Sequence, residues 1–394
     1  LGSEPEGGWA SLWRLDPQVR FLNHGSFGAC PRHVLDHQAG LRDRLERQPV
    51  EFLGRQLPQL LSEARQSVSQ FLGCAAADLV FVRNATAGVN AVLRSLPLER
   101  GDELVVTDHA YAACRNALDF AAQRAEARVV VAHVPFPIES ADQVVQAIAS
   151  RVSTKTRLVM IDHITSPTAL IFPLERLIRE LGGVEVLVDG AHAPGMVEIN
   201  LQQLKPTYYA GSCHKWLCAP KGSGFLYVRR DRQAQTRPTS ISHGASVHGE
   251  RARFQAEFDW TGTDDPTAIL SVPEAIRYLN SLLPGGWPEL MARNHALALD
   301  ARRRLCAALS IPLPCPDELL GSMATVPIGS GSPGAWESAF DVDPLQLELL
   351  DRYKIEVPID SWTIPSMRLL RLSAQLYNRS EEYDLLAEAL QQLL

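Results

Sequence analysis

No apolar run in this chain approaches the roughly 20 residues that a membrane-crossing helix needs. An excess of positive charge is missing too. The 394 residues carry a formal net charge of −7, which recommends no nucleic-acid partner. The seven cysteines (Cys30, Cys74, Cys114, Cys213, Cys218, Cys306, Cys315) are odd in number and scattered. No pair has zinc-site spacing, and a chain of this length does not depend on disulfides. No metal centre is expected, and the thiols read as small core residues kept reduced. Glu4 and Glu6 precede any apolar stretch, unlike a secretory signal, so a cytoplasmic protein is expected. What remains is an ordinary globular balance, 46% hydrophobic and 21% charged, in a chain long enough for two domains.

The most informative stretch is residues 209–228, where two apolar runs flank a turn of small residues holding Lys215. Apolar surroundings destabilise an ammonium, leaving its amine available as nucleophile and general base. Lys221, between Pro220 and Gly222, is the rival lysine, on a turn that points it outward. Upstream, residues 184–189 read as a buried strand ending in Asp189. An acid at the carboxyl end of such a strand lies where α/β sheets bind ligands. An activated lysine with one buried carboxylate suits pyridoxal 5′-phosphate (PLP), which takes an amine for its Schiff base and an anion for its ring nitrogen. Residues 79–82 predict a strand leading through Arg83-Asn84-Ala85-Thr86 into a helix, whose free N–H groups suit either a phosphate or a simple cap. Further strands are expected at 101–107, 128–134 and 158–162, and helical spacing runs from Pro31 to Leu72 with Arg42, Arg44, Arg47 and Arg55 as an outer, solvated stripe. This strand–polar tip–helix rhythm predicts a mostly parallel sheet with helices on both faces.

Three ordered motifs carry a family resemblance: residues 21–28 (Phe-Leu-Asn-His-Gly-Ser-Phe-Gly), residues 214–222 with the preceding Asp189-Gly-Ala-His192, and residues 370–378. Together they resemble the class V aminotransferase group of fold-type I PLP enzymes, in particular its isopenicillin N epimerase-like branch, from about Phe21 onward. The resemblance implies an α/β, aspartate aminotransferase-like fold with a mostly parallel sheet flanked by helices and a smaller α+β C-terminal domain. The expected division is an N-terminal segment (1–30) packing with the small domain, a large PLP-binding domain (31–285) and a small domain (286–394). It further implies the Schiff base at Lys215, the ring nitrogen on Asp189, and the phosphate at Ala85, Thr86, Ser212 and His214. Tyr111 is implied as the residue stacked on the ring, with His109 second. Thr165 or Ser166, with His192, would face the ring hydroxyl. Gly262 and Thr263 would reach the neighbouring subunit's phosphate, hence a homodimer with shared sites. Arg371 would bind the substrate carboxylate, with Asn23 and His24 near the substrate.

Cysteine desulfurases of this group carry a mobile cysteine shortly before that arginine; residues 356–367 contain none, so desulfuration is not expected. The leading expectation is β-elimination from an S-substituted cysteine. Epimerisation at Cα, as in the epimerase branch, comes next, and an aminotransferase or decarboxylating deaminase third. Shared fold does not choose among them.

Overall fold

A computed structural model describes residues 8–247, 252–330, 342–363 and 366–394; the first seven residues of the expected leader lie outside the described residues. The strands are β1 (Arg20–Phe21), β2 (Leu79–Val82), β3 (Glu103–Thr107), β4 (Arg128–Ala132), β5 (Thr156–Asp162), β6 (Glu185–Asp189), β7 (Tyr208–Ser212), β8 (Gly224–Val228), β9 (Met323–Pro327), β10 (Ile355–Glu356), β11 (Ile359–Thr363) and β12 (Ser366–Ser373). Seven of them form the central sheet in the order β2-β8-β7-β6-β5-β3-β4, in which β8 pairs antiparallel with both its neighbours and the other pairings are parallel.

Parallel strands covered on both faces need apolar side chains on both, and this dictates the strand sequences. Val105, Val159, Val186 and Phe225 enter one core, while Leu104, Leu158, Leu187 and Leu226 enter the other. The chain passes from β3 outward to β4, then back across β3 to β5. That reversal leaves a crevice beyond the carboxyl ends of β3 and β5, the position at which open α/β sheets bind ligands. The helices Ala85–Ser95 and Ala112–Arg124, which follow β2 and β3, begin on this side of the sheet.

The long helical spacing expected from Pro31 to Leu72 is broken in the structure. Pro49 and Pro58 cannot donate to a helix ladder, and the segment divides into Arg32–Arg47, Pro49–Glu51, a wider turn at Phe52–Gln56, and Leu57–Phe71. Its arginines do face solvent: Arg42 pairs with Asp265 and Arg55 with Glu51, both arginines exposed.

A second, antiparallel sheet in the order β11-β12-β9 lies in the C-terminal region, with the helices Gly286–Ala308 and Ser380–Leu393 packed together beside it. The N-terminal segment joins this region, because β1 pairs parallel with β10 and the Trp13 ring packs edge-on against Tyr377 at 5.1 Å. After β1, residues His24–Phe27 form one helical turn, closed by the Gly28 N–H donating to the His24 carbonyl at 2.8 Å. Gly28 then adopts a φ of 65°, and a Cβ there would lie 2.0 Å from the His214 carbonyl oxygen. Backbone meets backbone at that point, so no side-chain rotation relieves the clash. Gly28→Ala is therefore expected to lower unfolding stability by about 1–3 kcal/mol. Urea-unfolding midpoints measure this, and an unchanged midpoint would contradict the close approach.

Candidate active site

Asp189 ends β6 as a buried carboxylate. Its Oδ1 accepts the Ala191 N–H at 3.0 Å, and its Oδ2 accepts the Cys114 thiol at 3.0 Å. The thiol stays protonated, since burial and then the Asp189 charge push its pKa up. The same thiol also contacts the Thr86 hydroxyl, so Cys114 ties the first turn of the helix Ala85–Ser95 to the end of β6. Asp162 stands beside Asp189 in register on β5. Burial, then the charge of Asp189, raises its pKa well above the carboxylate range, which keeps a proton on Asp162.

Lys215 follows β7 in the turn before β8. Its amine lies 3.1 Å from His192 Nε2 and 6.0 Å from the centroid of the Tyr111 ring. Burial, then the nearby Arg371 charge, lowers its pKa from 10.5 to about 8, against an opposing pull from Asp189. His192 is held neutral by burial and then by the Lys215 charge. With Nε2 accepting from the lysine amine, Nδ1 carries the ring proton. That Nδ1 is buried with no hydrogen-bond partner among the described residues. Lys221, the rival, is exposed, and its amine donates to the Gly28 carbonyl at 3.0 Å.

Ser212 and Ala85 come together, the Ala85 N–H donating to Ser212 Oγ at 3.2 Å, while Asn84 caps the helix by accepting the Ala87 N–H. His214 sits next to Lys215 with Nδ1 3.4 Å from the Ser223 carbonyl; burial, then the Lys215 charge, lowers its pKa to about 4. Of the two stacking candidates, Tyr111 presents a 45% exposed ring toward the lysine. His109 is fully buried, its nitrogens at hydrogen-bonding distance from Thr168 Oγ1 (2.7 Å) and the Val134 carbonyl (2.9 Å).

Arg371 on β12 is buried. One terminal nitrogen donates to Ser166 Oγ (2.8 Å) and the Ser166 carbonyl (2.7 Å), the other to Ser26 Oγ (2.8 Å); Nε has no partner among the described residues. Ser166 thus faces the arginine. The Thr165 hydroxyl is occupied within its own turn, bonded to Thr168 Oγ1 and accepting the Leu170 N–H. His24 is turned inward: Nδ1 lies 2.9 Å from the Tyr377 hydroxyl and Nε2 3.0 Å from the Lys215 carbonyl. Asn23 donates to Glu356 at 3.2 Å and accepts from Ser26 Oγ at 2.5 Å. Gly262 and Thr263 line a surface recess with Arg83, Gly222 and Asp264, and Lys215 is not part of that lining.

Ser26, Cys114 and Asp162 were not singled out from the sequence. Asp162 carried a readable signal, an acid at the carboxyl end of a buried strand like Asp189. Ser26 and Cys114 carried none, since each gains meaning only from partners distant in sequence, Arg371 and Asp189.

The residues present fit a bound PLP. His192 offers an orphaned buried donor, Asp189 an enclosed carboxylate, Lys215 an amine of lowered pKa, and the helix at Ala85 a capped N-terminus.

Comparison with known proteins agrees. The family model "Aminotransferase class-V" matches residues 34–386. The isopenicillin N epimerase of Amycolatopsis lactamdurans is 36% identical, with 96% of each chain covered. A probable chloroplastic L-cysteine desulfhydrase of Arabidopsis thaliana is 28% identical, over 96% of this chain and 84% of that protein. Among solved structures, a C-DES mutant with glycine covalently linked to its PLP cofactor superposes with a TM-score of 0.75 at 21% identity, covering 94% of this chain and 96% of that one.

The lowered pKa of Lys215 has a direct readout. In cofactor-free protein, reaction of this amine with a small aldehyde should rise with pH around about 8, where the amine becomes neutral. Peptide mapping after borohydride trapping across pH gives the profile. A midpoint near that of an ordinary lysine, about 10.4, would contradict the burial argument.

Proposed function

The chain belongs to the class-V aminotransferase family, whose cofactor is pyridoxal 5′-phosphate, and within it we propose an enzyme acting at Cα of an α-amino acid, with β-elimination from an S-substituted L-cysteine as its reaction. The observation that carries this reading is the Lys215 amine, enclosed between His192 and Tyr111 with its pKa brought to about 8. In this reading Asp189 would hold the ring nitrogen, His192 Nδ1 the ring hydroxyl oxygen, and Ala85, Thr86, Ser212 and His214 the phosphate, with Tyr111 over the ring. When bound, the cofactor supplies an aldehyde carbon that links to the substrate amine and a protonated ring that takes up the electron pair left at Cα.

The protein's own part begins at Arg371. Ser26 and Ser166 fix the plane of its guanidinium, whose Nε has no partner among the described residues, and the substrate carboxylate would take its hydrogen bonds from this group. A carboxylate held there positions Cα against the Lys215 amine. Lys215 takes the Cα proton as general base. The Cβ–S bond then breaks with its electron pair going to sulfur, which leaves as a thiol once protonated. Water completes the balance, giving pyruvate and ammonia from the three-carbon remainder. One base suffices for this sequence, and Lys215 is poised for it. Thr165 and His24 are occupied by protein partners, so we give them roles in shaping the turn and the Lys215 backbone.

Epimerisation is the second reading. It needs an acid on the face opposite the lysine, a role we give to the phenol of Tyr111, whose ring centroid lies 6.0 Å from the Lys215 amine. The 36% identity to an isopenicillin N epimerase supports it. We place Gly262 and Thr263 in the site of a partner copy of the chain, since the recess they line does not include Lys215.

Incubation of the PLP-loaded protein with S-substituted L-cysteines in D₂O separates the readings. Pyruvate and free thiol are the expected products, and Lys215→Ala should cut their rate by about 10²–10⁴-fold. Deuterium at Cα with inversion and no pyruvate would instead establish the epimerase. Keto acid with aminated cofactor alone would sink both.

A further inference from the structure

The hairpin that carries Arg371 also carries an acid with no task in the chemistry above. Asp360 lies on β11, directly opposite Leu369 of β12. Cross-strand partners project to one face of a sheet, and residues two apart on a strand share a face. Asp360 and Arg371 therefore project to the same side. Trp362, two residues along β11, shares that side, and its ring packs edge-on against His109 at 4.6 Å, just beyond the end of β3. The β11–β12 face is thus applied to the crevice at the head of the central sheet.

Electrostatics place the carboxyl among the substrate-facing groups. It interacts with Arg371, and its charge is felt by the Tyr111 phenol. Arg371 in turn bears on Lys215. Burial raises the Asp360 pKa, with Arg371 opposing, yet the residue keeps partial exposure. A side chain closely surrounded but still reachable lies in a cleft. Among the described residues the Asp360 carboxyl has neither a hydrogen bond nor an ion pair. A half-buried carboxyl with no protein donor is open to a donor that a ligand brings.

The charge balance says which ligand. Among the described residues, Arg371 is the cation that bears on Asp360. Once a substrate carboxylate occupies Arg371, that compensation is spent on the new anion. An ionised Asp360 then has no counter-charge unless the substrate's side chain brings one. A neutral side chain would leave the acid enclosed and unpaired; a cationic one would pair with it through a charge-assisted hydrogen bond.

We propose that Asp360 determines side-chain specificity by pairing with a cationic group, such as an ammonium, at the far end of the amino-acid substrate's side chain. This rests on the reading that an α-amino acid binds with its carboxylate on Arg371, and it is independent of which bond then breaks. For the elimination reaction the substrate class becomes S-substituted cysteines whose sulfur substituent ends in an amine.

The test uses two nearly isosteric compounds, S-(2-aminoethyl)-L-cysteine and S-propyl-L-cysteine, with PLP-loaded protein. Binding is read from the change in the visible absorption of the bound cofactor, which does not require turnover. Wild type should bind the aminoethyl compound about 10- to 100-fold more tightly than the propyl compound. In Asp360→Asn, which keeps the shape and removes the charge, the ratio should fall toward one. Because the readout is a ratio within one protein, a general loss of folding or cofactor does not imitate it. Equal binding of both compounds by wild type overturns the proposal and leaves the α-amino-acid reading standing, as does a ratio that survives in Asp360→Asn. If neither compound perturbs the spectrum, the α-amino-acid reading fails, and the selectivity proposal with it.

Discussion

Burying the amine of Lys215 within reach of the Arg371 charge sets the terms for everything around it. Two cations brought out of water repel one another and lose hydration, and the site resolves this on the lysine, whose pKa falls to about 8. The surrounding histidines add no further charge. His24, His192 and His214 are all pushed toward the neutral form, chiefly by burial, and serve as oriented hydrogen-bonding groups. Asp162 is likewise kept neutral, by burial and its neighbour Asp189. The cleft thus has few charged groups, each in a distinct position: the Arg371 guanidinium, the Asp189 and Asp360 carboxyls, and the Lys215 amine, which can gain or lose a proton.

Holding those groups in register falls to a segment far away in sequence. His24 touches the Lys215 carbonyl, Gly28 packs on the His214 backbone, and Lys221 reaches back to the Gly28 carbonyl. In the same turn, Ser26 bonds Arg371. The five residues 24–28 therefore bridge the turn that carries Lys215 and the strand that carries Arg371. The pairing of β1 with β10 anchors this bridge on the C-terminal side. A shift of the segment would move base and receptor relative to each other, and proximity effects of this kind are sensitive to displacements of an ångström.

Much of this was legible in the chain. The apolar runs at 79–82, 101–107, 158–162 and 184–189 became strands because buried parallel strands must be apolar on both faces, and Asp189 stood out as the polar end of one of them. Lys215 stood out for the same reason, a charge in an apolar stretch. What could not be read was any contact whose meaning depends on two distant segments. Nothing near Cys114 announces that its thiol donates to Asp189, 75 residues on. The sequence leaves Thr165 and Ser166 as equal candidates for the ring hydroxyl, and only the fold shows Ser166 bonded to Arg371. His24 was expected toward substrate, but its neighbours Trp216 and Tyr377, which enclose it, come from elsewhere in the sequence. Helix breaks inside residues 31–72 were missed because apolar periodicity outweighed Pro49 and Pro58.

The proximity of Arg371 to Lys215 has a consequence for timing. Coulombic coupling is mutual: whatever lowers the effective charge on Arg371 relieves Lys215 of part of what depresses its pKa. An arriving carboxylate paired with the guanidinium does this. With the repulsion reduced, the amine holds a proton more readily, so in the proposed reaction its strength as a base would rise when a substrate is in place to be deprotonated. In the empty site the same repulsion keeps the amine neutral nearer to physiological pH, as a nucleophile must be. One electrostatic contact between two side chains 156 positions apart therefore serves both demands, and it needs no moving part beyond the arrival of the carboxylate.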